Sequence, residues 1–219
     1  MSVLTALPGI FLWRYRTRHR NDQIEIHDNG IRSVFADQEE LISWSDIERI
    51  AVNKSVARRI PCPSIRIQLK NGLDIRIRSP TGLAEEISVA TSNAVAAAIS
   101  KIESATRDAR SDRINRELVS GGLVDFGGLS VSEYTIRAGK REIPWKDISR
   151  IERFLLIFNG HGTPSIQIYH QTKHPNRPYI TVAEATVWDV DFVLPYALKK
   201  VAAAKCGELA ALSDISVTE

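Results

Sequence analysis

Long apolar runs are missing from this 219-residue sequence: the longest uninterrupted stretch of large aliphatic and aromatic residues covers residues 154–158, and with alanine counted none exceeds 94–99, far short of the roughly 18 to 20 residues that a membrane-spanning helix requires. Cysteine is scarce as well. Cys62 and Cys206 stand 144 positions apart, so neither a disulfide framework nor a zinc-ligand spacing can be written, and two reduced thiols in a cytoplasm are expected. Neither sign of charge dominates: 29 Lys and Arg against 26 Asp and Glu leave +3, too little to indicate a nucleic-acid partner without clustering. Residues 1–9 carry no positive charge ahead of their apolar side chains, and arginines follow only after Trp13, the reverse of a secretory signal, so export is not expected. What is present, 43% hydrophobic and 25% charged residues, is the balance of a globular chain able to bury a core. The length allows one large domain or two of roughly 100 residues.

Apolar residues alternate with polar ones at Ile24 and Ile26, at Ile42 and Trp44, at Ile65, Ile67 and Leu69, and at Leu73, Ile75 and Ile77, the period of half-buried strands. The last two series flank Lys70-Asn71-Gly72. A three-residue loop with Gly72 in the left-handed conformation sets Leu69 opposite Leu73, Ile67 opposite Ile75 and Ile65 opposite Ile77; a two-residue loop would set Ile against Arg. After Ser79-Pro80-Thr81-Gly82, the stripe Leu83, Ile87, Ala90, Ala94, Ala98 and Ile102 recurs at three- or four-residue steps. That spacing predicts a helix over about 82–109 lying on the sheet.

The second half repeats this order. Residues 121–131, Ile143 with Trp145, 151–158, 166–169 and 179–183 read as strands. A helix over about 188–205 follows, with the stripe Val190, Leu194, Leu198 and Val201 and with Pro195 marking a kink or a late start. The closest self-match is Ile-Ser-Trp-Ser-Asp-Ile-Glu-Arg-Ile at 42–50 against Ile-Pro-Trp-Lys-Asp-Ile-Ser-Arg-Ile at 143–151, offset by 101 residues. It sits at the same place in two runs of strands that each end in one helix, which reads as a duplication. The expected domains are 1–110 and 111–219, with the boundary near 108–116, where charges crowd and apolar periodicity stops.

Several short antiparallel strands closed by one C-terminal amphipathic helix, twice over, with Trp-x-Asp-Ile after the early hairpin, resemble the pleckstrin-homology-like (PH-like) fold as it occurs in bacterial proteins. The resemblance covers nearly the whole chain. Gly30, Ile31, Trp44, Asp46, Ile47 and Ile50 carry it in the first half, and Phe126, Gly127, Ile136, Trp145, Asp147, Ile148 and Ile151 in the second. It implies an α+β fold of two PH-like domains, each a strongly bent antiparallel sheet or partly open barrel capped by one C-terminal helix. It also implies binding to lipid headgroups, peptides or protein surfaces. The chain departs from the lipid-binding type in lacking a lysine-rich first loop, although arginines can substitute. On physical grounds each tryptophan can plug the space between sheet and helix. Asp46 or Asp147 can bond its own backbone and turn the chain toward the next strand. Trp44, Asp46, Ile47, Trp145, Asp147 and Ile148 are therefore expected to be structural.

The most unusual local feature is Arg14-Tyr15-Arg16-Thr17-Arg18-His19-Arg20. In a strand, Arg14, Arg16, Arg18 and Arg20 project from one face and Trp13, Tyr15, Thr17 and His19 from the other. A turn at Asn21-Asp22 would set Arg20 opposite Gln23 and Arg18 opposite Glu25, relieving one repulsion. In the later hairpin Arg66 falls opposite Arg76, with Arg78 beyond, and loop residues Arg58 and Arg59 could extend the patch. Opposed like charges destabilise a sheet, so compensation is expected. It can come from water and a neighbouring carboxylate, or from an anionic partner, for which arginine forks are suited.

Catalytic patterns are absent. His161, His170 and His174, with Glu184 as an imagined ligand or base, match no metal spacing, and these histidines read as loop residues. Gly121-Gly122, Gly127-Gly128 and Asn159-Gly160-His161-Gly162 lack the spacing and strand-to-helix context of a phosphate cradle. No serine lies in a nucleophile elbow. The expectation is thus a non-catalytic interaction or scaffold protein without cofactor or metal, cytoplasmic, with a protein partner or self-association and no nucleic acid. The alternative is a peripheral binder of anionic lipid headgroups or acidic ligands at the inner membrane face, through Arg14, Arg16, Arg18, Arg20, Arg66 and Arg76.

Overall fold

The structure, a computed structural model, describes residues 11–12, 23–35, 38–57, 60–79, 85–158, 160–173 and 176–215. The fold is α+β, mostly antiparallel sheets with two helices, and no sheet closes into a barrel among the described residues. No helix among them is long and apolar enough to cross a membrane. The chain divides into two compact units, Met1–Arg113 with Leu156–Pro164, and Ile114–Leu155 with Ser165–Glu219.

The first half supplies β1 (Phe11–Leu12), β2 (Gln23–Ile26), β3 (Gly30–Phe35), β4 (Gln38–Ser43), β5 (Ile47–Ala57), β6 (Ile60–Leu69), β7 (Asp74–Arg78) and helix α1 (Glu85–Val119). Strands β2, β3 and β4 form one antiparallel sheet, and β1, β7, β6 and β5 follow in that order in another. The hairpin register is the one the apolar alternation selects: Ile65 faces Ile77 and Ile67 faces Ile75. Gly72 has φ +82°, and the Leu69 N–H donates to the Leu73 carbonyl at 2.8 Å. The same face buries Ile50, Val52, Ile65, Ile67, Ile75 and Ile77, and Val95, Ile99 and Ile102 of α1 complete this core.

Two expectations about α1 need correction. The inward stripe is Val95, Ala98, Ile99 and Ile102, whereas Ala90 is exposed and Ala94 only half-buried. Branched side chains bury more apolar surface than alanine, so they set the rotation of the helix. The helix also does not stop near 109. Thr106, Arg110 and Ile114 continue the buried face, and the charges at 108–116 conceal that continuation. Arg110 is tolerated inside because its guanidinium donates to Thr106 Oγ1 at 3.1 Å and to the Glu103 carbonyl at 3.5 Å.

The second half supplies β8 (Val124–Asp125), β9 (Ser130–Val131), β10 (Thr135–Ala138), β11 (Arg141–Pro144), β12 (Ile148–Phe158), β13 (His161–His170), β14 (Ile180–Ala183) and α2 (Val190–Ile215). Strands β11, β10, β9 and β8 form a sheet in that order, while β13 lies between β12 and β14. The core gathers Phe126, Val131, Ile136, Ile143, Ile148, Ile166, Ile168 and Ile180 with Val190, Val193, Ala197 and Val201 of α2 and Ile114. Of the expected stripe, Val190 and Val201 are buried and Leu194 packs against the core, but Leu198 is exposed, and Val193 and Ala197 carry the inward face between them. Pro195 lies inside α2, so it marks no late start. The helix begins after Asp189, which has φ +49° and whose carbonyl accepts the Phe192 and Val193 N–H groups.

Parts of the two halves match closely. Trp44–Asp46 and Trp145–Asp147 are both 3₁₀ turns, leading into β5 and β12 of 11 residues each. Neither tryptophan ends a strand, as the alternation had suggested. Strands β6 and β13 have 10 residues each. The Lys70 N–H donates to the Asp46 carbonyl at 2.9 Å and the Gln171 N–H to the Asp147 carbonyl at 2.7 Å. Ile31 faces Ile42, and Ile136 faces Ile143.

Candidate functional site

The two tryptophan turns hold the frame. In the first, the Ser43 N–H donates to Asp46 Oδ2 at 3.1 Å, the Ser45 N–H donates to Ser43 Oγ at 3.3 Å, and the indole Nε1 of Trp44 donates to the Asp28 carbonyl at 2.8 Å. The reciprocal bonds of a capping box thus set the turn. In the second, Trp145 Nε1 donates to the Ser132 carbonyl at 3.2 Å, and its ring meets Tyr196 of α2 edge-on, with centroids 6.3 Å apart at 76°. Pro144 occupies the capping position there and makes no side-chain cap. It has no N–H to give, so the backbone bond made by Asp46 has no counterpart at Asp147. Ile47 and Ile148 are both buried in their cores.

The polar face of the β7–β6–β5 sheet carries the arginines. Arg66 is directly opposite Arg76, Ala51 is opposite Arg66 on its other side, and Arg78 is opposite Ser64 one row along. Arg66 is half-buried. Burial pushes its guanidinium pKa down, Arg76 adds to the effect, and the Asp74 carboxylate opposes it. The expected opposition is therefore present, with Asp74 as a neighbouring carboxylate. Arg14, Arg16, Arg18, Arg20, Arg58 and Arg59 lie outside the described residues, so the structure joins only Arg66, Arg76 and Arg78 of the expected patch.

Glu25 is held by Arg32, while Arg18, the partner expected for it, lies outside the described residues. Arg32 Nη1 donates to Glu25 Oε2 at 2.8 Å, and its Nε and Nη2 grip Glu39 at 2.7 and 2.9 Å. Both carboxyls are thereby held below their ordinary value of 4.5, the bond to Arg32 being the largest cause for each. Depressed carboxyl pKa values give stability above the unfolded value that disappears as pH falls through the folded ones. Arg32→Gln is therefore expected to lower the urea midpoint modestly at pH 7. The gap to the unsubstituted chain should close at pH 3; a gap that persists there would contradict this origin.

The residues considered for catalysis are engaged elsewhere. Glu184 is buried and bonded by both Nε and Nη2 of Arg153, with the Nε bond at 3.0 Å, and this pairing raises the Arg153 pKa. His170 Nδ1 accepts from the Thr172 and Lys173 N–H groups at 3.2 and 3.3 Å, and its ring packs edge-on against Tyr179. His161 is exposed, and His174 lies outside the described residues. No group of three His, Cys, Asp or Glu that could hold a metal exists among the described residues.

One feature has no counterpart in the sequence-based site. Phe154, Leu155, Leu156, Ile157 and Phe158 of β12 are all exposed. The signal was the apolar run itself, which reads as a strand buried on both faces; only the strand order reveals that it lies at an edge. No protein-family model matches the chain, and no curated protein matches it.

Proposed function

We propose that this chain is a non-catalytic interaction or scaffold protein built from two PH-like modules, each a bent antiparallel sheet with its own tryptophan turn and closing helix. The observation that carries this reading is the paired construction: two 3₁₀ turns opened by tryptophan, each leading into a pair of strands of matching length. Duplication of one module accounts for it. Such frames work through their edges and faces, since an open sheet offers unpaired backbone groups to a partner. The protein acts in the cytoplasm, without cofactor, metal or nucleic acid.

The test is native mass. In freshly prepared native lysate the chain should run well above its 24.4 kDa. A monomer mass that does not change with concentration, with no partner retained from that lysate, would contradict the reading.

Arg66 opposite Arg76 supports a second reading, an anionic ligand such as a phospholipid headgroup on the polar sheet face. Binding to anionic liposomes should then be present at low salt, fall at high salt, and weaken in Arg66→Gln/Arg76→Gln and in the fourfold alanine variant of Arg14, Arg16, Arg18 and Arg20. No co-sedimentation at low salt would remove it.

A further inference from the structure

We infer that two copies of this chain join through the outer edge of β12, the residues 154–158 of each pairing antiparallel about a two-fold axis at Leu156. The inference rests on the interaction reading above and names its partner. Strand β12 ends the order of its sheet, with β13 along one edge and no strand along the other among the described residues. Exposures run 50, 41, 42, 72 and 77% from Phe154 to Phe158. Successive residues of a strand point to opposite faces, so both faces of this segment are bare. Together they offer on the order of 500 Å² of apolar surface, as large as the largest patch on an ordinary monomer. A symmetric pair that covered all of it on both copies would bury at most about 1,000 Å², where specific interfaces begin.

The first half shows what this position does when it has a partner. Residues 53–57 correspond to 154–158 at the 101-residue offset, and they read Asn-Lys-Ser-Val-Ala. The edge of β5 there takes a strand: Ala57 faces His161 and Val56 faces Gly162. At the equivalent place β12 carries five large apolar side chains and, among the described residues, no strand on its outer edge, the makings of a strand acceptor.

The segment also fits itself. Phe-Leu-Leu-Ile-Phe reads almost the same in both directions, as a two-fold interface demands of its central strand. Antiparallel pairing centred on Leu156 sets Phe154 against Phe158 of the other copy, Leu155 against Ile157, and Leu156 against itself. Aromatic and aliphatic cross-strand pairs stabilise such a ladder. No residue of 154–158 carries a charge, so no like charges meet in this ladder. A lipid surface covers the apolar side chains less well, because hydrocarbon leaves the N–H and C=O groups of an open edge unpaired, whereas a second strand bonds them.

The test is sedimentation velocity on the full chain from about 1 to 200 μM, the span over which an interface of this modest size associates. The unsubstituted chain should pass from monomer to dimer within it. Leu156→Lys, which puts two like charges on the axis, should stay monomeric at tenfold or more higher concentration with an unchanged thermal melt, since the site is exposed. Leu156→Cys, in a chain with Cys62 and Cys206 replaced by Ser, should form a disulfide-linked dimer on mild oxidation, and Tyr134→Cys at an exposed turn should not. A monomer throughout, dimers unaffected by Leu156→Lys, or binding of the unsubstituted monomer to neutral lipid vesicles that Leu156→Lys abolishes would each overturn the inference. If the lysate assembly stays large in Leu156→Lys, the scaffold reading survives with a different partner; if it was never large, that reading fails on its own.

Discussion

Alanine in place of Trp145 is expected to destabilise the second unit by about 3–5 kcal/mol, the usual cost of deleting a large core aromatic. Trp44→Ala should cost the first unit about 1–3 kcal/mol, because less of its side chain leaves water. Trp145 is 5% exposed within a cluster that includes Ile136, Ile143 and Ile148, and it packs against Tyr196 of the closing helix. Its removal opens a cavity, strips the Ser132 carbonyl of its donor and loosens α2 together. Trp44 is half-buried at the margin of its own cluster, tied by its indole N–H to Asp28, whose carboxylate bonds Lys101 of α1 at 2.9 Å. Urea unfolding followed by the far-ultraviolet signal checks both variants. Equal costs, or a larger one at Trp44, would mean that the indoles do not occupy the places assigned to them.

The second large effect falls on a residue that looks inert. A Cβ added at Gly30 would lie 2.1 Å from the Ile42 carbonyl oxygen and 3.0 Å from its carbon. Both atoms belong to the backbone of the neighbouring strand, opposite Ile31 in the ladder, and cannot swing aside. Gly30→Ala is expected to cost about 3 kcal/mol, the upper end of overpacking penalties. Gly72→Ala is the control. Its φ of +82° is unfavourable for alanine, but nothing lies within 4 Å of the added carbon, so a cost of about 1 kcal/mol is expected. Chemical denaturation of the two variants should give that order. The reverse would show that close approach of β4, rather than chain reversal at Gly72, is the cheaper constraint.

Strand pairing was legible where side-chain chemistry and turn geometry agree. The β6–β7 register follows from matched isoleucines and one left-handed glycine, and the Arg66–Arg76 opposition came with it. Ile42-x-Trp44 and Ile143-x-Trp145 have period two, so in the sequence the tryptophan turns look like strand ends. The Ser-x-x-Asp of the capping box at Ser43 and Asp46 is the signal that marks the first of them as a turn. Alanines drew the expected α1 stripe one residue off at Ala90 and Ala94, while Ala98 and Ile102 lie on the buried face. The buried stem of Arg110, counted as a charge, hid the last turns of that helix. The bare edge of β12 was not legible at all: a continuous apolar run indicates burial until strand order shows which side lacks a neighbour. The Arg14 to Arg20 series lies outside the described residues.

Hydrogen exchange of the β12 amides at low and high protein concentration tests the central claim most directly, that this frame works by lending an open strand edge to a partner. In an antiparallel ladder alternate N–H groups point to each neighbour. The amides within 154–158 that point away from β13 should therefore exchange quickly in dilute solution and slow by at least tenfold at high concentration, while those of β5 stay slow throughout. Amides of β12 that exchange equally fast at both concentrations, or that are already protected in the monomer, would contradict it.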